Sequence, residues 1–396
     1  MTANRWLILG GAVSCVVASL ELAACASNED ADVDADAGPS LVPTDDADIR
    51  EAGDVDAGPC TDCEFFPQEC GPDILCPNGP FDPANPANGM DWRTRVNVIR
   101  GRSATDIWIA GSVGAAAHFD GTSWTPSEMG TMEAQRVLWL PKGGVVSLGS
   151  VDRIHTRGLD FDAGAVDAGV SAGGWSLRSA QAPPADYGKK LTAAWALPDS
   201  DSLWIGTQTD LWRLRLTAVS TFESLPGIPP SVCERIPCDR MRSIHSVSAS
   251  TVWAVGDLGS AIRITDADTD TPSATQLNTF TWLGLTGIWA ASDDDVWAVG
   301  ANGTVLRYTG DDLGWQAVSD VPTTEDLSAV WGTSSSDVWV VGKASVVVHY
   351  DGARWSRVKI AGLGDRRPDL YSVWSPAPGH VWIGGQGALF ALGGKP

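Results

Sequence analysis

The stretch Val296-Trp297-Ala298-Val299-Gly300 runs without a polar break, entered from three acids (293–295) and left through the polar turn "ANG" (301–303). A strand with one face in water alternates polar and apolar residues, so an unbroken apolar run predicts a strand covered on both faces. The run recurs as "DIWIAG" at 106, "SLWIGT" at 202, "TVWAVG" at 251, "DVWAVG" at 295, "DVWVVG" at 337 and "HVWIGG" at 380, with a worn copy "GVVSLG" at 144. The seven starts lie 38, 58, 49, 44, 42 and 43 residues apart. Eight or nine residues before the key Trp stands another apolar strand, with its own Trp195, Trp289, Trp331 or Trp374. A third strand follows, clearest in "TVLRYTG" (304–310) and "VVVHYDG" (346–352). A fourth is expected at Trp124, Trp175, Phe222, Trp282, Trp315 or Trp355.

Four short strands in a unit of about 44 residues, repeated seven times, predict an all-β chain: a seven-bladed β-propeller of four-stranded blades. Blades stack face on face around an axis, which accounts for inner strands apolar on both sides. Trp fills the gap that widens outward between blades. The β-branched, Gly-punctuated pattern excludes a helical solenoid. The last unit ends at "GALFALGGKP" without a fourth-strand aromatic, and a spare Trp92 stands in "MDWRTRV" just before the first unit. Residues 91–95 are therefore expected to supply the outer strand of the seventh blade and close the ring, leaving no open edge. The alternative is a six-bladed ring, with the 130–175 unit as an excursion and Trp92 in a linker.

The units resemble the "DVWAVG…G.v.hydG..W" propeller repeats of secreted bacterial proteins grouped with YVTN, BNR and Kelch-like propellers. The resemblance covers residues 92–396 and implies the fold more than a function, because propellers host many activities. Sialidases of the BNR group carry Ser-x-Asp-x-Gly-x-Thr-Trp boxes, an Arg cluster and a Tyr nucleophile. No such box is present; "FDGTSW" (119–124) and "YDGARW" (350–355) read as turns between third and fourth strands, and Tyr308 and Tyr350 as repeat positions.

The N-terminus reads as an address. One base, Arg5, precedes an apolar run from Trp6 to Leu20 that is too short to span a bilayer comfortably and fits a signal peptide. Leu22-Ala23-Ala24-Cys25 resembles the bacterial lipobox, which implies lipid on Cys25 and a mature chain starting there. Ordinary cleavage in the small-residue run Ala24-Cys25-Ala26 is the alternative. Residues 26–59 hold eleven acids against one base, Arg50, and almost no large apolar side chains. Such a segment cannot bury enough surface to offset its ordering entropy, so a solvated leash is expected. Asp30, Asp32, Asp34 and Asp36 alternate as in a calcium loop, but Ala35 and Leu41 stand where that loop needs Gly and Glu. The organisation read here is a signal peptide over 1–24, a lipidated acidic linker over 25–59, a short Cys-rich segment over 60–90 and a propeller over 91–396.

Cys60, Cys63, Cys70, Cys76, Cys233 and Cys238 remain after processing, an even number in an exported chain, which predicts disulfides. Cys233 and Cys238 are placed to close a small loop; pairing among the other four stays open. Four thiols at this spacing could instead hold zinc, but an oxidising compartment and the lack of a nearby His favour bridges.

Composition narrows the function. The 27 bases and 49 acids of the 396-residue chain leave a net charge of −22, which excludes nucleic-acid phosphates and anionic lipid surfaces as electrostatic partners. So many Trp, 19 in the chain, point to a repeated motif. His118 and His349 are repeat equivalents, and His245 takes the place of Trp289 and Trp331. The Asp of "DVW" (Asp106, Asp295, Asp337) is expected to cap a turn through its own backbone. No nucleophile elbow, phosphate loop or HExxH motif occurs. In the loop 361–369, Arg366 and Arg367 form an exposed basic pair in an acidic chain and are the candidate ligand-binding residues. The expectation is a monomeric, membrane-tethered, non-catalytic binding module for an envelope protein or glycan, without a cofactor, in the bacterial envelope and at its outer membrane. A propeller lyase or glycoside hydrolase with a site at the channel rim is the alternative.

Overall fold

The computed structural model describes residues 62–81, 89–159, 169–180, 190–217, 221–229, 232, 240–311 and 314–394. Their strands form seven four-stranded antiparallel sheets, each running outward from the channel to the rim. Blade 1 holds Val96–Ser103, Asp106–Gly111, Ala116–Phe119 and Trp124–Pro126; blades 2 to 6 repeat this order from Val137–Trp139 to Trp355–Arg357. Blade 7 holds Leu370–Ala377, His380–Gly385 and Ala388–Leu392, and its outermost strand is Leu75–Pro77 from the other end of the chain. The worn unit forms blade 2 in full, so the ring has seven blades and not six.

The second strand of each blade explains its unbroken apolar run. Val296, Trp297, Ala298 and Val299 are all buried, and they divide their contacts by parity. Val296 and Ala298 pack toward blade 4 with Trp253 and Val255, whereas Trp297 and Val299 pack toward blade 6 with Val338 and Val340. The indole always goes to the following blade. Trp253 meets Tyr308 and Trp315 of blade 5 at centroid distances of 4.9 and 5.7 Å, and Trp297 meets Tyr350 and Trp355 of blade 6 at 5.5 and 5.7 Å. Trp382 of blade 7 meets Phe119 and Trp124 of blade 1 at 5.3 and 5.4 Å, which joins the end of the ring to its beginning. Aromatic pairs at these separations contribute about 0.5–1.5 kcal/mol each beyond their buried area.

The ring is closed by an N-terminal strand, but not by residues 91–95. Leu75, Cys76 and Pro77 pair with Leu392, Ala391 and Phe390, and Leu75 also bridges in parallel to Ile360 of blade 6. The backbone of residues 94 and 95 pairs with blade 7 at the turn after its second strand, where the Gly387 N–H donates to the Thr94 carbonyl at 2.7 Å and Arg95 bridges to Gln386. Trp92 is 56% exposed. The reason is geometric. An outer strand lies three strand spacings, roughly 14 Å, from an inner one, and residue 95 abuts Val96, the first residue of an inner strand. No chain is left to cross that radius, whereas residues 78–95 provide it for Leu75–Pro77. The aromatic partner expected of Trp92 is Phe66, buried with Leu75 against Trp339 of blade 6.

Trp282 also departs from expectation. The outer strand of blade 4 is Ser273–Gln276, and Trp282 lies in the loop beyond it, 84% exposed. Trp124, Phe222 and Trp355 stand in outer strands, and Trp175 and Trp315 directly precede theirs. The Cys-rich segment is thus part of the propeller edge and is cross-linked: Cys70 is bonded to Cys76, and Cys63 is disulfide-bonded as well; Cys25, Cys60, Cys233 and Cys238 lie outside the described residues.

Two predictions follow from this packing. A chain beginning at residue 60 should keep one cooperative thermal transition near the full-length midpoint. One beginning at residue 90 should melt far lower or aggregate through the bared edge of blade 7, and Leu75→Ala should cost about 2–5 kcal/mol in denaturant titrations. An unchanged midpoint for the residue-90 chain would refute the clasp.

The second concerns pH. Burial pushes the His155 imidazole down to about 4, with Arg153 adding to it, and burial followed by the Arg100 charge holds His245 well below its ordinary value. Both are therefore neutral in the fold, while the unfolded chain takes up protons below about pH 6.5. Proton uptake by the unfolded state lowers stability as pH falls. The denaturation midpoint should drop between pH 7.5 and 5, where carboxylates stay ionised, and His155→Gln should flatten that slope.

Candidate functional site

The channel is lined by the seven inner strands, and their register places one residue of each at the same height. Arg100, Trp139, Trp195, His245, Trp289, Trp331 and Trp374 lie opposite Trp108, Val146, Trp204, Trp253, Trp297, Trp339 and Trp382 of the second strands. Five of these seven are Trp. Most lean tangentially onto the next blade. A Cβ on Gly101 would lie 2.5 Å from the Trp374 ring and one on Gly332 2.7 Å from Trp289, so glycine is required where the indole passes. The Trp195 Nε1–H donates to Ser246 Oγ and the Trp331 Nε1–H to the Ser375 carbonyl, both at 2.9 Å and both into the following blade.

Four of the seven side chains meet across the axis. Trp195 and Trp331, from blades 3 and 6, approach to 5.7 Å, and His245 sits 4.1 Å from the first and 5.5 Å from the second. The Arg100 guanidinium lies 5.2 Å from each of the two indole rings. These groups stopper the channel and divide it into two cups; Arg100, His245 and Trp331 line both, and Trp195 lines the larger.

The lower cup, at the hairpins between first and second strands, has a volume of about 440 Å³ and walls of indole, Leu and Ala. The upper cup, where the inner strands begin, is about 230 Å³ and differs in kind. Arg95, Arg100, Arg136 and Arg242 line it with Ser, Thr, Asn97 and Tyr371, and no carboxylate lines it among the described residues. Arg242 is held by Asp257 at 2.6 Å, and Arg95 covers the Tyr371 ring at 3.5 Å. Arg136 is exposed and has no acidic partner among the described residues. Arg100 donates to its neighbour's carbonyl, Ile99 O, at 2.8 Å, and what surface it keeps opens onto the cups. Burial lowers its pKa to about 10, so it carries its charge at neutral pH. His245 Nδ1 accepts the Ala290 N–H at 3.1 Å, which leaves the neutral ring its proton on Nε2.

The upper rim continues outward from Arg242 through Asp257 to exposed Leu258, and the turn carrying Leu258 packs on the loop that carries Phe280 and Trp282. A Cβ on Gly259 would lie 2.0 Å from the Thr281 carbonyl. Three large apolar side chains therefore stand in water beside the basic cup.

The residues singled out from sequence fall elsewhere. Arg367 is bound within the chain, with its guanidinium on Asp62 at 3.0 Å and over the Phe66 ring at 3.6 Å, and it ties down the closing segment. Arg366 is exposed and reaches the Gln386 carbonyl at 3.4 Å. The "DVW" carboxylates do not cap turns through their own backbone but bind across to the third strand. Asp106 holds His118 at 2.8 Å, Asp295 holds Arg307 at 2.8 Å and Asp337 holds His349 at 2.7 Å. Each of these side chains lies on the Trp of its own blade, His118 stacked on Trp108 and His349 on Trp339, with the Arg307 guanidinium 4.6 Å from the Trp297 ring. Burial alone would raise the Asp337 carboxyl, but hydrogen bonds from His349, Thr333 and Trp339 hold it below the usual range.

No protein-family model and no curated protein matches the sequence. Solved structures do match the fold. The structure described as YCF48 bound to D1 peptide superposes with a TM-score of 0.58 at 13% identity, covering 83% of this chain and 99% of that one. Virginiamycin B lyase from Staphylococcus aureus gives 0.57 at 13% identity over 76% and 95% of the two chains. The WD40 domain of Neurospora crassa Pan2 gives 0.54 at 13% identity over 82% and 97%. These proteins share a ring of blades and little sequence with the chain, which is itself a seven-bladed β-propeller.

Proposed function

We propose that the protein is a non-catalytic recognition module, held at the bacterial envelope by lipid on Cys25, that binds a protein partner on the upper face of its propeller. The observation that carries this reading is the composition of that face. Four Arg and no lining carboxylate gather at the mouth of a chain with net charge −22, next to exposed Leu258, Phe280 and Trp282. Large apolar side chains standing together in water beside a charged cup are typical of a binding surface. General acid–base catalysis asks for a donor and an acceptor converging on one point. The only imidazole in this cup, His245, keeps its proton on Nε2 and has Arg100, not an acid, beside it.

The fold neighbours favour the same reading without deciding it. YCF48 was solved with a D1 peptide, and the Pan2 domain is a WD40 propeller, while virginiamycin B lyase is an enzyme on the same ring. The envelope address draws on the lipobox-like Leu22-Ala23-Ala24-Cys25, the acidic leash and the likeness of the repeats to those of secreted propellers of the YVTN, BNR and Kelch-like group.

Cys25→Ser should move the protein from the detergent-soluble membrane fraction to the soluble one; retention in the membrane would overturn the anchor. A photo-crosslinking residue at 282 should trap a protein adduct that Arg136→Glu abolishes, whereas one at 334, on the lower hairpins, should trap none. Adducts centred on 334 would place the partner on the wrong face for this proposal.

A further inference from the structure

We propose that the upper cup is a carboxylate seat with Arg100 as its floor, so that the group recognised is a carboxylate, free on a small acid or at the end of a protein segment. The inference rests on the upper face being the binding face and names the chemistry taken there. Of the four cup cations only Arg242 is ion-paired with an acid among the described residues, Asp257; Arg95 lies over Tyr371, and Arg100 and Arg136 are the two left with neither that ion pair nor that ring. The cup therefore attracts an anion locally although the chain as a whole repels one.

The shape of the Arg100 site selects the anion. The Trp195 and Trp331 rings each lie 5.2 Å from the guanidinium and, with centroids 5.7 Å apart, flank it on the same side, while one terminal nitrogen already donates to Ile99 O. The nitrogens left free present a planar fork that pairs bidentately with an oxyanion, and the apolar wall beside it suits an oxyanion carried on carbon, a carboxylate, better than free phosphate. The Ser328 hydroxyl, with no protein partner among the described residues, adds a donor to the wall, and Val98, Ala193 and Ala329 supply apolar surface for the carbon attached to the carboxylate. A volume of about 230 Å³ admits a small acid or a chain terminus. Desolvation strengthens the pair, because charges meeting out of bulk water are weakly screened.

The test is titration calorimetry of the full mature chain with succinate, inorganic phosphate and the pentapeptide Gly-Gly-Ser-Ala-Leu bearing a free or an amidated C-terminus. Saturable binding of succinate alone identifies a free acid. Binding of the free-terminus peptide, lost on amidation, identifies a chain end. In either case Arg100→Gln and Arg136→Gln should each weaken binding about tenfold or more, as expected for loss of a charge-assisted bond, while Arg93→Gln changes nothing. Arg136 is exposed, so its variant keeps the test open should Arg100→Gln fail to fold. The proposal is overturned if no carboxylate binds up to about 10 mM, a weak-affinity limit, if phosphate binds as tightly, or if both Arg variants bind like the parent. Adducts from position 282 persisting without carboxylate binding would sink this inference and leave the binding face standing.

Discussion

The ring depends on one repeated contact, the indole that each second strand sends into the next blade. Trp253, Trp297 and Trp382 all obey it, and the small residues between them, such as Ala254 and Ala298, face backwards. Large forward and small backward gives every blade a wedge-shaped pair of faces, so seven units stacked in sequence must curve and meet. The third-strand side chain over the same indole, His118, Arg307 or His349, covers the ring from the side and is oriented by the "DVW" carboxylate, and for Arg307 the contact is between a cation and the ring. A cation–aromatic contact of this kind contributes about 0.5–2 kcal/mol, and here one motif supplies packing, charge balance and cross-strand register at once.

The same stacking decides what the channel can be. Inner strands held this close place residues of equivalent height within reach of each other, and bulky ones meet across the axis. Trp195, Trp331, His245 and Arg100 do so, and the channel ends as two separate recesses instead of a bore. Inter-blade bonds fix the wall: Ser243 Oγ accepts the Ile288 N–H at 3.2 Å, and Ser372 Oγ donates to the Val96 carbonyl at 3.3 Å. The basic cup is thus built from rigid strands, which favours a preformed site.

The fold was legible because it rests on period and on apolar continuity, both visible in "VWAVG". Features that break the period were not. Phe66 does the work assigned to Trp92, yet it lies in a Cys-rich stretch outside the phase of the repeat. Trp282 carried the right residue type near the right spacing, but the outer strand of blade 4 has Ala274 facing Trp204 where its neighbours have an aromatic. The candidate cup was hidden for a related reason. Arg100 stands eight residues before Trp108, as Trp289 does before Trp297, and aligning the units on that interval exposes it, with His245, as one of two odd members of a Trp column. Arg367 misled because charge in a loop says nothing about a partner 305 residues away.

The clasp at blade 7 also sets an order in time. Asn78 finds the Gly394 carbonyl at a separation of 316 residues, so the strand made first acquires its partner last. Until the final blade exists, Leu75 and Phe66 have only blade 6 to pack on, and six blades stand as an open fan whose two ends are both exposed. Such non-local pairing carries a loop-closure cost that is met only when synthesis is complete. A chain interrupted anywhere before Ala388 therefore lacks the strand that Leu75–Pro77 pairs with and has no closed form of its own.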